Sequence, residues 1–161
     1  MLETMESMEK EASGSTPEKV ESRFGMLEYH SDFVIDFVNG ILGFENFKSY
    51  CLCVAPQSPK GEFLLLHCLD QNMVTFMVLP LGMENSLIEQ KDLEEACAHY
   101  KFDPKHTQVY STISVAGEGA ETVITTNLRA PILIDEKLKK GVQHVLSNSK
   151  YAIRDQITKL A

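Results

Sequence analysis

The sequence predicts a mainly β protein, a compact antiparallel β-barrel or sandwich-like single domain with one short helix. Short apolar segments recur along the chain, several of them with period-two alternation, and clusters rich in Gly, Asn and Pro separate them. One segment has apolar residues at helical spacing. Many short strands joined by hairpin turns favour a closed sheet, because closure hides the strand edges that would otherwise aggregate.

Length and composition are those of one globular domain. The chain has 161 residues, 43% of them hydrophobic, and a net charge of −8 at pH 7. A chain of this length can bury a sizeable core, and it is too apolar to be fully disordered. No run approaches the roughly 18 consecutive apolar residues of a membrane helix, and the N-terminus lacks the pattern of a secretory signal. We therefore expect a cytoplasmic protein that does not enter a membrane.

Residues 1–22 differ in composition from the remainder. They contain six glutamates and two lysines, so their charge is −4 (2 − 6). A segment with so little apolar surface to bury is expected to be an acidic flexible extension, and its removal should leave the melting temperature nearly unchanged. Residues 23–161 form the predicted barrel domain.

The first half of the domain reads as four strands. Residues 33–38 alternate and end at Asn39-Gly40, a dipeptide suited to the positive φ values of a turn. Residues 48–55 form the second predicted strand. Residues 63–69 and 73–79 are apolar on both faces, which is typical of strands at the centre of a barrel or sandwich.

A helix is predicted over residues 87–100. Leu93, Ala96, Cys97 and Tyr100 share one face at spacings of three and four. Two possible capping boxes, in which paired side chains satisfy free helix N–H groups, mark its start. They are Ser86 with Glu89 and Asp92 with Glu95.

The second half again favours strands. The predicted strands cover residues 107–115, 121–126, 132–134, 142–146 and 151–153. Pro131 suits the first residue of a strand, because proline has no N–H to give to the sheet. Residues 137–146 are also compatible with a helix.

The sequence does not predict an enzyme. It contains no G-x-S-x-G motif, no H-E-x-x-H motif among its five histidines and no phosphate-binding loop. The four cysteines lie in apolar segments and are expected to be reduced core residues, since their spacing does not match the common zinc sites. No metal or cofactor is therefore expected, although an unrecognised hydrolase with a triad assembled in space stays an alternative.

Charge bears on the class of partner. An excess of carboxylates repels the phosphate backbone, so direct binding of nucleic acid is disfavoured. The same charge favours encounter with a basic protein.

Three segments carry a resemblance to a known family. They are Phe-Val-Asn-Gly-Ile-Leu-Gly-Phe-Glu-Asn-Phe at residues 37–47, Asn-Leu-Arg-Ala-Pro-Ile-Leu-Ile-Asp at residues 127–135, and residues 141–154 with a Val-Leu pair and Tyr-x-x-Arg. In order and separation they resemble the flagellar assembly factor FliW family, over roughly residues 33–157. The resemblance implies a compact β-barrel that binds proteins and has no catalytic role.

The resemblance also implies the partners. A member of this family is expected to bind flagellin and, alternatively, the RNA-binding carbon storage regulator CsrA, so that flagellin synthesis is coupled to export. The resemblance implies that the bound regulator cannot repress flagellin translation, and that flagellin displaces the regulator from the adaptor. The competing hypothesis is a small β-barrel that binds an apolar ligand, based on the Met and Phe content of residues 73–83.

Candidate partner-binding residues come from the same three segments. Aromatic and Arg side chains are frequent hot spots of interfaces, and a carboxylate beside two Phe rings suits a cationic partner. The candidates are Phe44, Glu45, Phe47, Asn127, Arg129, Pro131, Tyr151 and Arg154.

Overall fold

The structure, a computed structural model, describes residues 16–157. Over this range it contains eleven strands and one α-helix. The strands are β1 (Glu18–Ser22), β2 (Gly25–Tyr29), β3 (Ile35–Asp36), β4 (Ser49–Val54), β5 (Leu64–Cys68), β6 (Thr75–Pro80), β7 (Thr107–Ala116), β8 (Val123–Thr126), β9 (Ile132–Asp135), β10 (Lys140–Gln143) and β11 (Asp155–Gln156), and the helix is α1 (Gln90–Tyr100).

Seven strands close into a barrel. The larger sheet has the order β11-β8-β7-β6-β5-β4-β3-β10-β9, and β9 pairs back onto β7. Strand β7 makes both pairings possible because it is ten residues long. Its first four residues pair with β9, and its last four pair with β8. The prediction of a mainly β, closed and largely antiparallel fold with one helix is confirmed; β3 and β10 are parallel where they meet.

The barrel interior is filled with large side chains. Strands β3 to β7 and β9 all contribute, each through alternate residues, as the two-residue period of a strand requires. Three aromatic residues, Phe37, Tyr50 and Tyr110, are among the most buried side chains of the chain. The remaining buried members are Ile35, Ile41, Leu52, Leu64, Leu66, Cys68, Val78, Ile132 and Ile134.

The outer face of the barrel is covered on two sides. Helix α1 buries Leu93, Ala96 and Cys97 in one cluster with Val109 and Leu133, which point outward from their strands. The β1–β2 hairpin places Leu27 in a second cluster with Cys51, Cys53, Ala55 and Leu65. These two covers explain why several strands are apolar on both faces.

The N-terminal boundary differs from the sequence prediction. Residues Glu18–Ser22, assigned above to the flexible extension, form β1 and pair with β2 in antiparallel register. Arg23 Nη2, in the turn between these strands, donates to the carbonyl of Thr75 at 2.5 Å, and its guanidinium lies 4.3 Å from the centre of the Phe24 ring. The ordered fold therefore includes the hairpin, while residues 1–15 of the predicted extension lie outside the described residues.

The start of the helix also differs from the prediction. Helix α1 begins at Gln90, and its N-cap residue Glu89 makes no side-chain capping hydrogen bond. Neither predicted capping box forms. Asn85 orders the preceding turn, since its Oδ1 accepts from the amides of Leu87 and Ile88 at 2.8 Å. The Asp92 carboxylate accepts from the Tyr151 hydroxyl.

Two strand predictions and one helix alternative need correction. Residues 33–38 contain only the two-residue strand β3, because residues 31–33 form a 3₁₀ turn and residue 37 already enters a loop. Residues 151–153 are not a strand; β11 follows them. The alternative of a helix over residues 137–146 is wrong, since Lys139 has a φ of 55° and β10 pairs with β9.

The buried His67 predicts how stability depends on pH. Its Nδ1 lies 2.7 Å from Thr75 Oγ1, and Nε2 has no hydrogen-bond partner among residues 16–157. Burial lowers the pKa of His67 from its ordinary value near 6.5. The unfolded chain therefore takes up a proton before the folded chain does, so stability is lost as the pH falls below the ordinary histidine pKa, by up to about 1.4 kcal/mol per pH unit.

We expect His67→Asn to flatten the dependence of the unfolding free energy on pH between about pH 7 and about pH 5. Chemical denaturation at several pH values measures it. The exposed His106 provides the control His106→Asn, because its ion pair with Asp103 at 3.7 Å is solvent-exposed and contributes little. Equal slopes in His67→Asn and the wild type would contradict the prediction. Some slope should remain, since burial and the charge of His99 lower the pKa of His144 as well.

A second prediction concerns the hairpin. A chain that begins at residue 25 loses β1 and the half-buried Val20 and Phe24, which pack against the Leu27 cluster. A loss of about 2 kcal/mol would lower the melting temperature by about 4–8 °C in a domain of this size. A chain that begins at residue 16 keeps the hairpin and is the control. If the chain that begins at residue 25 had the same melting temperature as the full-length protein, the hairpin would not stabilise the barrel.

Candidate functional site

Residues 37–48 form a compact loop between β3 and β4. Its tight path depends on Gly40, which has a φ of 65°. A Cβ at this position would lie 2.6 Å from the Cα of Glu45, so only glycine fits without moving the backbone. Backbone hydrogen bonds from Gly40 to the Phe37 carbonyl at 2.8 Å and from Phe44 to the Ile41 carbonyl at 2.6 Å close the loop on itself.

This loop presents apolar side chains to solvent while it is anchored in the core. Phe37 and Ile41 are buried in the interior cluster. Between and after them, Val38, Leu42 and Phe44 have exposed fractions of 56%, 54% and 36%. Grouped apolar exposure on a short ordered segment is characteristic of binding surfaces. We call the exposed side chains of Val38, Leu42 and Phe44 the apolar loop patch.

A row of aromatic rings connects the patch to the core. Phe44 meets Phe76 edge to face at 5.3 Å between ring centres, Phe76 lies 6.3 Å from Tyr50, and Tyr50 meets Phe37 at 5.0 Å. Phe47 is half-buried and packs against the same interior cluster. The structure therefore places Phe44 at the surface end of this row, and Phe47 partly buried against the interior cluster.

Glu45 adds a charge beside the patch. Its Oε1 accepts from the Gly43 amide at 3.1 Å, and the Lys48 Nζ donates to the Glu45 carbonyl at 2.5 Å. Hydrogen bonds from its own amide and from that of Gly43 lower the pKa of the Glu45 carboxyl. Glu45 is exposed and is therefore negatively charged at neutral pH beside Phe44.

The segment 127–131 is a turn held by its first side chain. Asn127 Oδ1 accepts from the amides of Arg129 and Ala130, both at 3.1 Å. The turn directs Pro131 into a buried position just before β9. Asn127 and Pro131 thus shape the backbone here.

Arg129 and Tyr151 tie the closing segment to the barrel. The Arg129 guanidinium donates to the carbonyls of Tyr151 and Ser149, at 3.1 Å and 2.7 Å. The buried Tyr151 hydroxyl accepts from the Glu89 amide at 3.1 Å and donates to Asp92 at the start of α1. Both side chains use their polar groups within the fold.

Gln143, which sequence reasoning did not single out as a site residue, joins the first two motifs. Its Oε1 accepts from the Leu42 amide at 3.0 Å, and its Nε2 donates to the Ala130 carbonyl at 3.1 Å. Nearby, Gly141 leaves space for the Phe37 ring, because a Cβ there would lie 2.4 Å from Phe37 Cζ. The three motif segments therefore meet around residues 141–143.

Comparison with known proteins agrees with this arrangement. The FliW protein family model matches residues 18–157. The chain belongs to the FliW family. The flagellar assembly factor FliW of Syntrophus aciditrophicus is 32% identical over 139 residues, with 86% of this chain and 85% of the relative covered. That of Thermoanaerobacter pseudethanolicus is 32% identical over 135 residues, with 83% and 88% covered.

A solved structure supports the fold. The crystal structure of a flagellar assembly factor FliW matches with a TM-score of 0.66 and 21% identity, over 89% of this chain and all of that one. The resemblance of the three motif segments to the FliW family is confirmed. The match from residue 18 also includes the β1–β2 hairpin in the FliW domain.

Residues 16–157 contain four cysteines and no site suited to a metal. The four cysteines, Cys51, Cys53, Cys68 and Cys97, are buried free thiols. Burial raises the pKa of Cys68 and of Cys97 and keeps both protonated. Within this range no cluster of His, Cys, Asp and Glu has the geometry of a metal site, and no helix is long and apolar enough to span a membrane.

The candidate residues do not form one continuous set. Phe44 and Glu45 are exposed on the loop, and Phe47 is partly buried beneath it. Arg154 is exposed just before β11, the strand that pairs with β8. Val38 and Leu42 were missed, although their position in a glycine-rich loop was a signal that the side chains could be exposed.

Gln143→Ala should loosen the loop of residues 37–48 without unfolding the barrel. The Leu42 amide loses its acceptor, so its hydrogen exchange should become faster, while the free energy of unfolding falls by about 1 kcal/mol. Hydrogen exchange followed by NMR measures both effects. Gln156→Ala, in the exposed edge strand, is the matched control. Unchanged exchange at Leu42 would show that Gln143 does not hold the loop.

Proposed function

We propose that this FliW family member is a cytoplasmic adaptor that binds flagellin and, alternatively, the RNA-binding translational regulator CsrA. Bound to the adaptor, the regulator does not repress flagellin translation; flagellin displaces it, and export of flagellin frees the adaptor again. The adaptor thereby couples flagellin synthesis to export. The observation that carries the proposal is the apolar loop patch on an anchored loop, in a chain that belongs to a family of flagellar assembly factors.

The geometry of the patch supports protein binding. The Gly40 turn, the Gln143 amide and the buried Phe37 fix the loop before any partner arrives. A preorganised surface loses less conformational entropy on association. Aromatic residues at the centre of an interface are frequent hot spots, and Phe44 is the aromatic member of the patch.

Charge supports a basic partner. Glu45 places a carboxylate next to Phe44, and the whole chain has a net charge of −8. A protein that binds RNA presents Lys and Arg to phosphate, so a regulator of that class is complementary to this surface. The same charge disfavours binding of RNA by the adaptor itself.

The filled interior gives less support to the alternative, a barrel that holds an apolar ligand. Such a barrel needs an apolar cavity lined by its inward-facing side chains. Here those positions carry Phe37, Tyr50 and Tyr110, which pack with the other members of the interior cluster. The apolar side chains of Val38, Leu42 and Phe44, in contrast, are exposed on one short loop.

A displacement assay tests the proposal. The purified chain is mixed with labelled CsrA from the same bacterium, and flagellin monomer is then added. We expect the chain to form a complex with CsrA, and flagellin to dissociate that complex. CsrA released in this way should again repress translation from the flagellin leader RNA. Simultaneous binding of both proteins would contradict the alternation, and no binding of either would reject the proposed function. Binding of leader RNA by the chain alone would also count against it.

Phe44→Ala separates a role in binding from a role in folding. We expect partner affinity to fall about 30-fold, equivalent to about 2 kcal/mol, because a central aromatic anchor is lost. The free energy of unfolding should fall by only about 1 kcal/mol, since the ring is partly exposed and its main described contact is the edge-to-face pair with Phe76. Calorimetric titration and chemical denaturation measure the two quantities.

Val123→Ala is the control for this variant. Val123 is also an exposed apolar residue, 41% accessible, but it lies on β8 rather than on the loop. It should leave affinity unchanged. A large loss of stability with normal affinity in Phe44→Ala would assign Phe44 to the core and remove it from the proposed surface.

A further inference from the structure

A polar cavity of about 210 Å³ opens between α1 and the segment that follows β10. Its lining residues are Asp92, Glu95, Ala96, His99, His144, Leu146, Ser147 and Asn148. None of them belongs to the apolar loop patch. One of them, His144, directly follows Gln143 in the sequence. Its volume is suited to the end of one long side chain rather than to a folded segment.

Two histidines line the cavity, and one of them, His144, is held by a hydrogen bond. His144 Nδ1 lies 2.8 Å from the Tyr100 hydroxyl, and the centres of the His144 and His99 rings are 5.9 Å apart. Burial, with the nearby His99, lowers the pKa of His144. At neutral pH this ring therefore contributes an aromatic surface and no positive charge.

The two carboxylates of the cavity differ, since the charge of Lys150 acts on Asp92. Asp92 accepts from the Tyr151 hydroxyl. In the part of the chain that the structure describes, Glu95 has no ion pair and no hydrogen bond from its side chain, and no Lys or Arg lines the cavity. Lys150, which follows the lining segment, is bound to Glu89 at 2.9 Å.

We propose that this cavity receives an arginine side chain of a basic protein partner, a proposal that rests on the function proposed above. A guanidinium can donate to a carboxylate through two parallel hydrogen bonds and can lie flat against an imidazole ring. Glu95 and the His99–His144 pair provide these two kinds of contact on adjacent walls. An ammonium group would use the carboxylate but not the ring surface. The cavity thus adds a charge-specific contact to the apolar contact made by the loop.

Glu95→Gln and Glu94→Gln form a matched pair of variants. Both remove one negative charge from neighbouring exposed positions of α1, but Glu94 accepts from Gln90 at 3.1 Å and does not line the cavity. We expect Glu95→Gln to weaken the binding of CsrA, the RNA-binding and therefore basic partner, about tenfold, because a charge-assisted hydrogen bond is lost, and Glu94→Gln to bind as the wild type does. Calorimetric titration with each purified partner measures the affinities.

A third variant fills the cavity from within. Ser147→Arg places a guanidinium of the chain itself in the lining of the cavity. It should therefore weaken the binding of the same partner whose binding Glu95→Gln weakens. A thermal melt should show that the barrel remains folded. Melting of all three variants is recorded beside the titrations.

The outcomes are distinguishable. Wild-type affinity in Glu95→Gln, with both partners still bound, would overturn the cavity proposal and leave the proposed function standing. An equal loss in Glu94→Gln would assign the effect to the general field of the acidic surface and would overturn it too. If the wild-type chain binds neither partner, the proposed function fails and the cavity proposal fails with it.

Discussion

Closure of the sheet through β7 is the constraint on which the rest of the structure depends. Because β7 pairs with β6 and β9 around the barrel and continues into β8, it is the strand at which the ring closes and the extra strands branch away. Closure fixes which side chains face inward, and these fill the interior. It also sets the outward face, against which α1 and the β1–β2 hairpin pack. The loop of residues 37–48 projects from a support that is rigid for this reason.

The functional surface combines two kinds of recognition with different physical demands. The apolar loop patch needs a fixed backbone, which the chain obtains from a glycine at positive φ and from the amide of Gln143. The cavity beside α1, as the proposed arginine site, needs unbalanced negative charge in a concave place. Apolar contact supplies affinity to many partners, whereas a charge in a shaped cavity discriminates between them. The proposed adaptor, with two alternative partners, would use both kinds of contact.

Patterns of short range made most of the fold predictable. Strands β4 to β7 follow directly from alternation and from runs of apolar residues, and the apolar stripe of α1 located the helix. The N-terminal hairpin was not predictable from composition, because Val20 lies between two charged residues and Leu27 lies between Met26 and a glutamate. Their burial depends on a surface of β4 and β5 that is distant in the sequence. The helix start was misplaced for a related reason, since Asp92 is engaged by Tyr151 from the other end of the domain.

The hairpin has a consequence for the order in which the chain is made. Its two strands are adjacent in sequence and pair through local contacts, so they can form early as the protein leaves the ribosome. The outer faces of β4 and β5, with Cys51, Cys53 and Leu65, are synthesised later and are apolar. A hairpin that is already present can cover them as soon as they emerge. Because the hairpin precedes β4 and β5 in the chain, it limits the time during which their apolar outer face is exposed to other nascent chains.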